Sequence, residues 1–429
     1  MKNALQLREE LIAKAEDNSA FRSRLIENPK KTIEQELGVT LAEDHDIEVH
    51  EETPTTAHLV LPAQSRYSKA EREEAKTSGN SPEFLKKTLH DPAPPARPPV
   101  DEHAATAVRT RPGTREAPAE AGRVAIQRGL TFLETAVKED GIWPSVRYML
   151  SNPDGPRHWE RTPFLSALGA LALERCRDDR AKTLRIRTRE YLLNSVEYPG
   201  VWRYWRHLPP DLDSTSLCSL ALGPHPWFLT GRNVDRILKY RDDEGRFLTW
   251  MNAKDEPVVL PAFRSDADLV VNANTIAYLG DHPETRDAQR WVQASIEAGS
   301  TTRRSAWYPD SMALYYATAR ASVYAKPAFT DLKPALADRI RNCGDAGGDF
   351  GDILLTAQAI AALDMIGDLK KKEARHSLER FVDSQRPDGS WPEYLAWDIG
   401  HPSVGIASEA LTTAFCIEAL ESCLRNEYE

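Results

Sequence analysis

The chain has 429 residues and a formal net charge of −10. The length supports a sizeable hydrophobic core, and the acidic balance disfavours nucleic acid as the main partner. No apolar run reaches the roughly 20 residues of a membrane span, and the N-terminus lacks the apolar stretch of a secretory signal. The five cysteines are scattered without a CxxC pair, which suits reduced thiols in a cytoplasmic protein.

The first 62 residues are predicted to form a small acidic α+β unit. Apolar residues recur at helical spacing over 5–25, and a second, shorter helix is expected over 31–37. The segments 46–51 and 56–61 alternate between polar and apolar residues, which is typical of two strands. Thirteen acidic side chains against seven basic ones make this unit a candidate for binding another protein.

The same unit resembles the nitrile-hydratase-like leader peptides of ribosomal natural-product pathways. The resemblance rests on the string Phe21-Arg22-Ser23-Arg24-Leu25-Ile26-Glu27-Asn28-Pro29 and on the closing His58-Leu59-Val60-Leu61-Pro62. Leaders of this family are recognition handles, so the resemblance implies a maturation enzyme or transporter as a partner of residues 1–62. The Cys-rich metal motif of nitrile hydratase is absent from the sequence, so hydratase activity is not implied.

Residues 63–120 are predicted to be a flexible, Pro-rich linker. The run 91–99 contains five prolines, and the residues over 105–121 are mostly small or polar. A segment with so few apolar side chains cannot bury enough surface to offset the entropy of folding. We therefore expect this interval to separate two folded units.

Residues 121–429 are predicted to be mainly helical. Six apolar stretches recur at intervals of about 40 to 55 residues, which is the spacing of helix-pair repeats. They span residues 162–173, 217–222, 270–279, 312–323, 353–366 and 408–423. Six such pairs can close into an α/α toroid, with one helix of each pair inside the ring and the other outside.

Turns rich in Gly, Asp, Pro and Trp separate the apolar stretches. The runs Asp140-Gly141-Ile142-Trp143-Pro144 and Gln385-Arg386-Pro387-Asp388-Gly389-Ser390-Trp391 resemble the QW-type motif of a toroid superfamily. That superfamily contains squalene-hopene cyclases, class II diterpene cyclases and protein prenyltransferase β subunits. The resemblance implies the toroid fold over 121–429, with Gly residues that allow tight turns and Trp residues that hold helix pairs together.

An acidic motif, Asp211-Leu212-Asp213-Ser214-Thr215, follows a Pro-Pro pair and precedes an apolar stretch. It resembles the DxDD motif of class II terpene cyclases, with Ser214 in place of the final Asp. The resemblance implies that Asp213 is the general acid that protonates a linear isoprenoid, such as a prenyl diphosphate, and that Asp211 is the first acidic residue of the motif. The implied enzyme is an isomerase or lyase of the terpene cyclase type.

Protonation of an isolated alkene requires an acid that stays protonated until the substrate arrives. Burial and a neighbouring carboxylate raise the pKa of an aspartate, so Asp211 and Asp213 are expected to hold one proton between them, oriented by Ser214 or Thr215. The resulting cation requires a dry wall of aromatic rings. The candidates for substrate contacts are Trp202, Tyr204, Trp205, Trp250, Trp307, Trp397 and Asn272. One of the amides of Asn272 and Asn274 is expected to face the cavity and orient an acid or a water molecule.

The sequence leaves alternatives open for the motif and for the protein. An Asp or Ser between a Pro-Pro pair and an apolar run is a common helix N-cap, and N–H donors at a cap lower the pKa of a carboxylate. Asp266 and Asp268 can bind Mg²⁺ with a diphosphate or cap the next helix; no cofactor is required by the chemistry. The toroid can also be a non-catalytic scaffold, or a component or substrate of a leader-dependent peptide-maturation pathway.

Overall fold

The computed structural model describes residues 4–38, 47–51, 116–197, 200–205, 208–223, 232–252, 264–299, 305, 307–345, 349–400 and 403–428. Its N-terminal part contains three short helices, α1 (Ala4–Asp17), α2 (Ser19–Glu27) and α3 (Pro29–Leu37). The long helix predicted over 5–25 is thus interrupted. Asn18 ends it, because its Oδ1 accepts a hydrogen bond of 2.9 Å from the N–H of Phe21 and caps α2.

These three helices have a small apolar core of their own. Phe21, Leu25 and Ile33 are buried in it, and Ile47 and Val49 pack against it. Residues 47–51 are not in a strand, contrary to the prediction, because a strand requires a hydrogen-bonded neighbour. The predicted partner, 56–61, lies outside the described residues, as does the predicted linker up to residue 115.

In the described part of the chain after residue 115, helices alternate between an inner and an outer position. The inner helices are α5 (Pro163–Ala172), α7 (Leu212–Leu222), α9 (Leu269–Leu279), α11 (Ser311–Tyr324), α13 (Ile353–Ile366) and α15 (Glu409–Tyr428). The outer helices are α4 (Glu116–Ala136), α6 (Asp179–Ser195), α8 (Arg232–Leu238), α10 (Arg286–Ala298), α12 (Lys333–Cys343) and α14 (Lys371–Ser384). The first outer helix begins inside the interval assigned to the linker.

The six inner helices form a closed ring. Each packs against the next inner helix along the chain, and α15 packs back against α5. Neighbours cover an inner helix on several sides, so its sequence is apolar almost all round, whereas an outer helix such as α10 buries one stripe at Ala288, Val292 and Ile296. The prediction of an α/α toroid with six helix pairs is confirmed.

In each of the two Gly-Trp turns, the Trp indole is buried and donates a hydrogen bond to an outer helix. The Nε1–H of Trp143 donates to Thr188 Oγ1 on α6 at 2.9 Å, and that of Trp391 donates to the carbonyl of Phe381 on α14 at 2.8 Å. Gly389 before Trp391 has a φ of +88°, and a Cβ there would lie 2.3 Å from a backbone oxygen. Only glycine fits this turn without a shift of the backbone.

A four-stranded antiparallel sheet, which the sequence did not predict, joins the start and the end of the ring. It consists of β1 (Ser145–Met149), β2 (His158–Glu160), β3 (Leu395–Gly400) and β4 (Ser403–Ala407), in the order β2-β1-β4-β3. The strands β1 and β4 pair with Val146 opposite Ala407, so the loops before α5 and α15 are tied together. Among the described residues, no helix combines the length and apolar character that crossing a bilayer requires.

Candidate active site

The loops that precede α5, α7, α9, α11 and α15 meet at one end of the ring, which we call the acid end. The N–H of Leu212 donates to the carbonyl of Thr249 at 2.8 Å, and the N–H of Thr249 donates to the carbonyl of Asp266 at 2.7 Å. The N–H of Asp398 donates to the carbonyl of Trp307 at 2.9 Å. Side chains that are far apart in the sequence are thereby brought together around the start of α7.

Asp211 is the N-cap of α7. Its Oδ1 accepts a hydrogen bond of 2.6 Å from the N–H of Ser214, and its Oδ2 accepts one of 2.8 Å from the N–H of Tyr204. Burial raises the pKa of Asp211 to about 7, against the lowering effect of the Ser214 N–H and with a further rise from the charge of Asp213. Asp211 therefore fixes the loop before α7 through its two hydrogen bonds to backbone N–H groups.

Asp213 lies in the first turn of α7 with its carboxyl turned into the protein. The Nδ2 of Asn274 on α9 donates to Asp213 Oδ1 at 2.7 Å, and the hydroxyl of Tyr308 donates to Oδ2. Burial raises the pKa of Asp213, while Tyr308, Asn274 and the positive charge of Arg320 lower it. The motif thus serves both as a helix cap and as an inward-facing acid: Asp211 is the cap, and Asp213 is the acid.

This arrangement suits a proton donor. Burial keeps the neutral acid in place, since ionisation in a dry site is costly. Once the proton leaves, the carboxylate already faces two hydrogen-bond donors, Tyr308 and Asn274, which stabilise it without reorganisation. Burial raises the pKa of Asp213 as expected, but the hydrogen bonds that lower it come from the side chains of Tyr308 and Asn274 and not from backbone N–H groups at a cap.

The expectation that Ser214 or Thr215 orients the donor is wrong for this geometry. The Ser214 hydroxyl is buried and is not hydrogen-bonded to Asp213; its side chain acts on Asp211 instead, whose pKa it lowers. The Thr215 Oγ1 accepts a hydrogen bond of 3.1 Å from the N–H of Trp202. Tyr308 and Asn274 hold Asp213 instead, because α9 and the loop before α11 bring them against the first turn of α7.

Aromatic side chains gather at the acid end in two groups. Trp397 makes an edge-to-face contact with Phe164 at 4.9 Å between ring centroids and with Tyr204 at 6.4 Å. Trp250 and Trp307 make a second edge-to-face pair at 5.5 Å. The rings are held by polar contacts as well, since Trp397 Nε1 donates to the Tyr204 hydroxyl at 3.1 Å. Four of the predicted substrate-contacting aromatics thus lie near the acid motif, three of them in loops and Trp397 in β3.

Two other predicted substrate contacts have different positions. Trp202 is fully buried and its Nε1–H donates to the carbonyl of Leu192 on α6 at 3.0 Å, so it holds a helix pair together as Trp143 does. Trp202 is therefore part of the fold rather than of the site. Trp205 is half-buried, and the guanidinium carbon of Arg147 lies 5.6 Å from the centroid of its ring.

Of the two candidate amides, Asn274 faces the acid and Asn272 does not. Asn272 Nδ2 donates to the carbonyls of Phe247 and Asp268, and its Oδ1 accepts the N–H of Phe247 at 2.8 Å. These backbone contacts use its hydrogen-bonding capacity, so the substrate-binding role predicted for Asn272 is not supported. Tyr308 was missed altogether; its position just before an inner helix was the available signal.

The predicted Mg²⁺ alternative fits poorly at Asp266 and Asp268. Asp268 caps α9 through Oδ1, which accepts the N–H of Val270 at 2.8 Å, and its Oδ2 accepts the hydroxyl of Ser305. Asp266 Oδ2 accepts the Nε1–H of Trp307 at 2.8 Å. Carboxylate oxygens that already face donors are poor ligands for a cation. No group of three or more His, Cys, Asp or Glu side chains suited to a metal occurs among the described residues.

Comparisons with known proteins agree with this architecture. No protein-family model matches the chain. Drimenol cyclase drtB of Aspergillus calidoustus is 23% identical over 217 residues, which cover 49% of this chain and 38% of that protein, well under two thirds of its length.

Two solved structures show the same fold. A variant of the type II terpene cyclase MstE from Scytonema, in complex with geranylgeranyl dihydroxybenzoate, matches with a TM-score of 0.59 and 15% identity over 73% of this chain and 100% of that chain. A protein from Actinoplanes matches with a TM-score of 0.57 and 17% identity over 70% of this chain and 99% of that chain. The toroid therefore has the fold of type II terpene cyclases.

Proposed function

We propose that the toroid catalyses the proton-initiated cyclisation of a linear isoprenoid, with Asp213 as the general acid. The observation that carries the proposal is a buried carboxyl with two hydrogen-bond donors, Tyr308 and Asn274, at an end of the ring rich in aromatic side chains. The similarity to a drimenol cyclase and the type II terpene cyclase fold support the same reaction class.

The first step transfers the Asp213 proton to the terminal alkene of the substrate. The π electrons form the new C–H bond, the O–H bond of Asp213 breaks, and a tertiary carbocation remains on the adjacent carbon. The Asp213 carboxylate keeps its hydrogen bonds from Tyr308 and Asn274. Internal alkenes then attack the cation to close rings, and loss of a proton or capture of water ends the reaction.

The aromatic groups of the acid end are proposed to stabilise the cation. A ring face attracts a cation by about 0.5 to 2 kcal/mol, with the larger value in a desolvated site. The edge-to-face pair of Trp250 and Trp307 and the group of Tyr204, Phe164 and Trp397 flank the loop that carries Asp211 and Asp213. Exclusion of water by these rings also protects the cation from premature capture.

Arg147 is proposed to bind an anionic headgroup of the substrate. Its Nη1 lies 3.4 Å from Glu160 Oε1, and its Nε and Nη2 are buried without a hydrogen bond to the described residues. The Nε1 of Trp205, whose ring lies beneath the Arg147 guanidinium, is also buried without a hydrogen bond to the described residues. A buried donor without an acceptor costs about 1 to 3 kcal/mol, and diphosphate oxygens would satisfy these donors. This chemistry favours a prenyl diphosphate over a neutral isoprenoid.

The reaction is proposed to need no cofactor, because Asp213 itself supplies the proton. We expect the rate of cyclisation to change by less than about twofold when the purified protein is treated with EDTA, apart from any effect of Mg²⁺ on the diphosphate in solution. Adding Mg²⁺ back at a fixed ionic strength separates an effect of metal removal from an effect of ionic strength. A loss of all product with EDTA that Mg²⁺ restores would contradict the cofactor-free proposal.

The test of the function uses farnesyl and geranylgeranyl diphosphates with the wild-type protein and the variant Asp213→Asn. The amide keeps the shape of the side chain but has no acidic proton, so product formation should fall by about 10⁴-fold while the fold is retained. Asp310→Asn is the matched control, since Asp310 caps α11 and is not hydrogen-bonded to Asp213. No cyclic product from any isoprenoid, or equal product from wild type and Asp213→Asn, would refute the function.

Residues 1–62 are proposed to be a recognition handle for a maturation enzyme or a transporter. The observation in favour is that α1 to α3 form an apolar core distinct from that of the toroid. A pull-down with maturation enzymes of a leader-dependent pathway, using the full chain and a chain without residues 1–62, tests the idea. Equal binding of both chains, or binding of neither, would remove this role and leave the cyclase proposal intact.

A further inference from the structure

A chain of three buried polar side chains runs from the acid into the interior of the ring. Asn274 Nδ2 donates to Asp213 Oδ1 at 2.7 Å, and Asn274 Oδ1 accepts a hydrogen bond of 2.6 Å from Nη2 of Arg320 on α11. Asn274 and Arg320 are only 2% and 3% exposed. A buried guanidinium is costly to maintain, so its presence here requires a reason.

Arg320 is held on its other side by an aromatic ring. Its guanidinium carbon lies 5.2 Å from the centroid of Tyr316, and the Tyr316 hydroxyl donates to Glu418 Oε2 at 2.8 Å. The Nε and Nη1 of Arg320 have no hydrogen-bond partner among the described residues. Its hydrogen bonding within the described part of the chain is thus directed at Asn274.

The chemistry of the two groups fixes the orientation of the amide. A guanidinium has only donors, whereas an amide has a donor end and an acceptor end. Since Arg320 faces the acceptor end of Asn274, the donor end must face Asp213. The Oδ1 of Asp213 then accepts a hydrogen bond, and the acidic proton is placed on Oδ2, beside Tyr308.

The reverse orientation of the amide would oppose protonation of a substrate. The amide oxygen would accept the acidic proton from Asp213 Oδ1 and hold it between two protein groups. The Nδ2 of Asn274 would then face the guanidinium, so that donors would oppose donors. Arg320 therefore excludes an arrangement in which the acid is buried but unable to deliver its proton.

We propose that Arg320 is a positioning residue for the general acid: by holding the side-chain oxygen of Asn274, it keeps the acidic proton on Oδ2 of Asp213. The role rests on the proposed cyclase function. It gives Arg320 no contact with the substrate, so its effect should appear in the rate of the chemical step rather than in substrate affinity.

The charge of Arg320 adds a second, measurable effect. The titratable and charged groups around Asp213 are Asp211, Asp268, Tyr308, Cys218 and Arg320, and of these only Arg320 is positive. Its charge lowers the pKa of Asp213, so its removal raises that pKa. Asp213 must be protonated to act. The rate of the variant should therefore decline at a higher pH than that of the wild type.

The experiment compares Arg320→Met and Arg320→Lys with Arg425→Met, which removes an arginine of α15 that pairs with Asp364 away from the acid. Arg320→Met should lower kcat by about 10- to 100-fold with KM within about threefold, and shift the alkaline decline of kcat/KM upward. Arg320→Lys should recover much of the loss. Arg425→Met should retain the wild-type profile.

A double-mutant cycle tests whether Arg320 acts through Asn274. At low pH, where Asp213 is protonated in every variant, Arg320→Met should change kcat by less than about twofold in an Asn274→Ala background. Additive losses, or an unshifted pH profile for Arg320→Met, would overturn the proposal. A wild type without cyclic product would instead refute the function itself, so the two failures are distinguishable.

Asn274→Asp keeps the proposal testable if Arg320→Met does not fold. The aspartate has the same shape and pairs with Arg320, but it presents an acceptor to Asp213 in place of a donor. Thermal unfolding should be near that of the wild type, and kcat should fall by about 100-fold or more. A folded Asn274→Asp protein with wild-type kcat would overturn the positioning role.

Discussion

The Gly-Trp turn at 385–391, which precedes β3, β4 and α15, and the turn at Trp202, which precedes α7, are built alike, but only the second leads to the Asp213 carboxyl. In the first, the N–H of Trp391 donates to Thr413 Oγ1 at 3.2 Å, and its indole holds the outer helix. In the second, the N–H of Trp202 donates to Thr215 Oγ1 at 3.1 Å, and its indole does the same. The helix that follows the second turn, α7, carries the buried carboxyl of Asp213 in its first turn.

The difference indicates which repeat of the ring would carry the proposed chemistry. A Trp bonded to a hydroxyl of the following inner helix makes the turn rigid, and rigid support is what a catalytic group requires. The second turn leads to an acid that accepts hydrogen bonds from Tyr308 and Asn274, which come from neighbouring repeats. Changes in the shared part should therefore reduce stability, and changes in the added part should reduce activity.

The largest stability effect is expected for Trp391→Ala. The indole is fully buried and its Nε1–H bonds to Phe381, so truncation leaves a cavity and an unpaired carbonyl. We expect a loss of about 3 to 5 kcal/mol in the free energy of unfolding, measured with urea. The kcat per folded molecule should stay near that of the wild type.

The matched control for Trp391 is Trp291→Ala on the outer surface of α10, where Arg246 covers the half-buried ring. Its cost should be within about 1 kcal/mol. If Trp391→Ala left stability unchanged but lowered kcat selectively, the proposed division between fold and chemistry would be wrong.

Glu418→Gln tests whether a buried acid elsewhere in the ring behaves differently from Asp213. Burial raises the pKa of Glu418 to about 7, so the folded protein holds this proton to a higher pH than the unfolded chain. The glutamate therefore contributes most stability below its unfolded pKa and loses it as the pH rises towards 7.

The glutamine mimics the protonated acid at every pH. Relative to the wild type, Glu418→Gln should gain roughly 3 kcal/mol in the free energy of unfolding between pH 4.5 and pH 8. Its kcat should change little, because the side chain of residue 418 is hydrogen-bonded to Tyr316 and not to Asp213. A pH-independent difference in stability would contradict the raised pKa.

Tyr308→Phe has a smaller expected effect than Trp391→Ala and Glu418→Gln. It removes one hydrogen bond from the Asp213 carboxylate, which should lower kcat by about tenfold and raise the pKa of the acid. Activity should consequently extend to higher pH. Tyr278→Phe, whose hydroxyl donates to Asn233 on the outer side of the same bundle, is the control and should retain kcat. Equal losses in both variants would show that Tyr308 is merely structural.

Much of the ring could be predicted from the sequence. The apolar stretches at 353–366 and 270–279 coincide with α13 and α9, because an inner helix is covered on several sides and its sequence is apolar throughout. The four-stranded sheet could not be predicted in this way. Its central pair joins β1 to β4, more than 250 residues apart, and short strands carry little local signal.

The site was predicted in part. Asp213 and Asp211 follow a recognisable local pattern, but Trp202 and Asn272 were assigned to the substrate although their polar groups serve the backbone of the repeats. Tyr308 contacts the acid from the loop before α11, and its position just before an inner helix is the one local signal for that contact. Arg320 of α11 contacts Asn274, and nothing in its local sequence indicates that contact. Partners of this kind depend on tertiary packing and require the structure.

The most direct test of the central claim is the reaction of farnesyl diphosphate with the wild-type protein in D₂O. The carboxyl of Asp213 exchanges with solvent, so an acid-initiated cyclisation places one deuterium on the carbon of the former terminal alkene. We predict a product one mass unit heavier, with the label at that carbon by NMR. A cyclic product without deuterium would mean that loss of diphosphate starts the reaction, and would contradict the assignment of Asp213 as the proton donor.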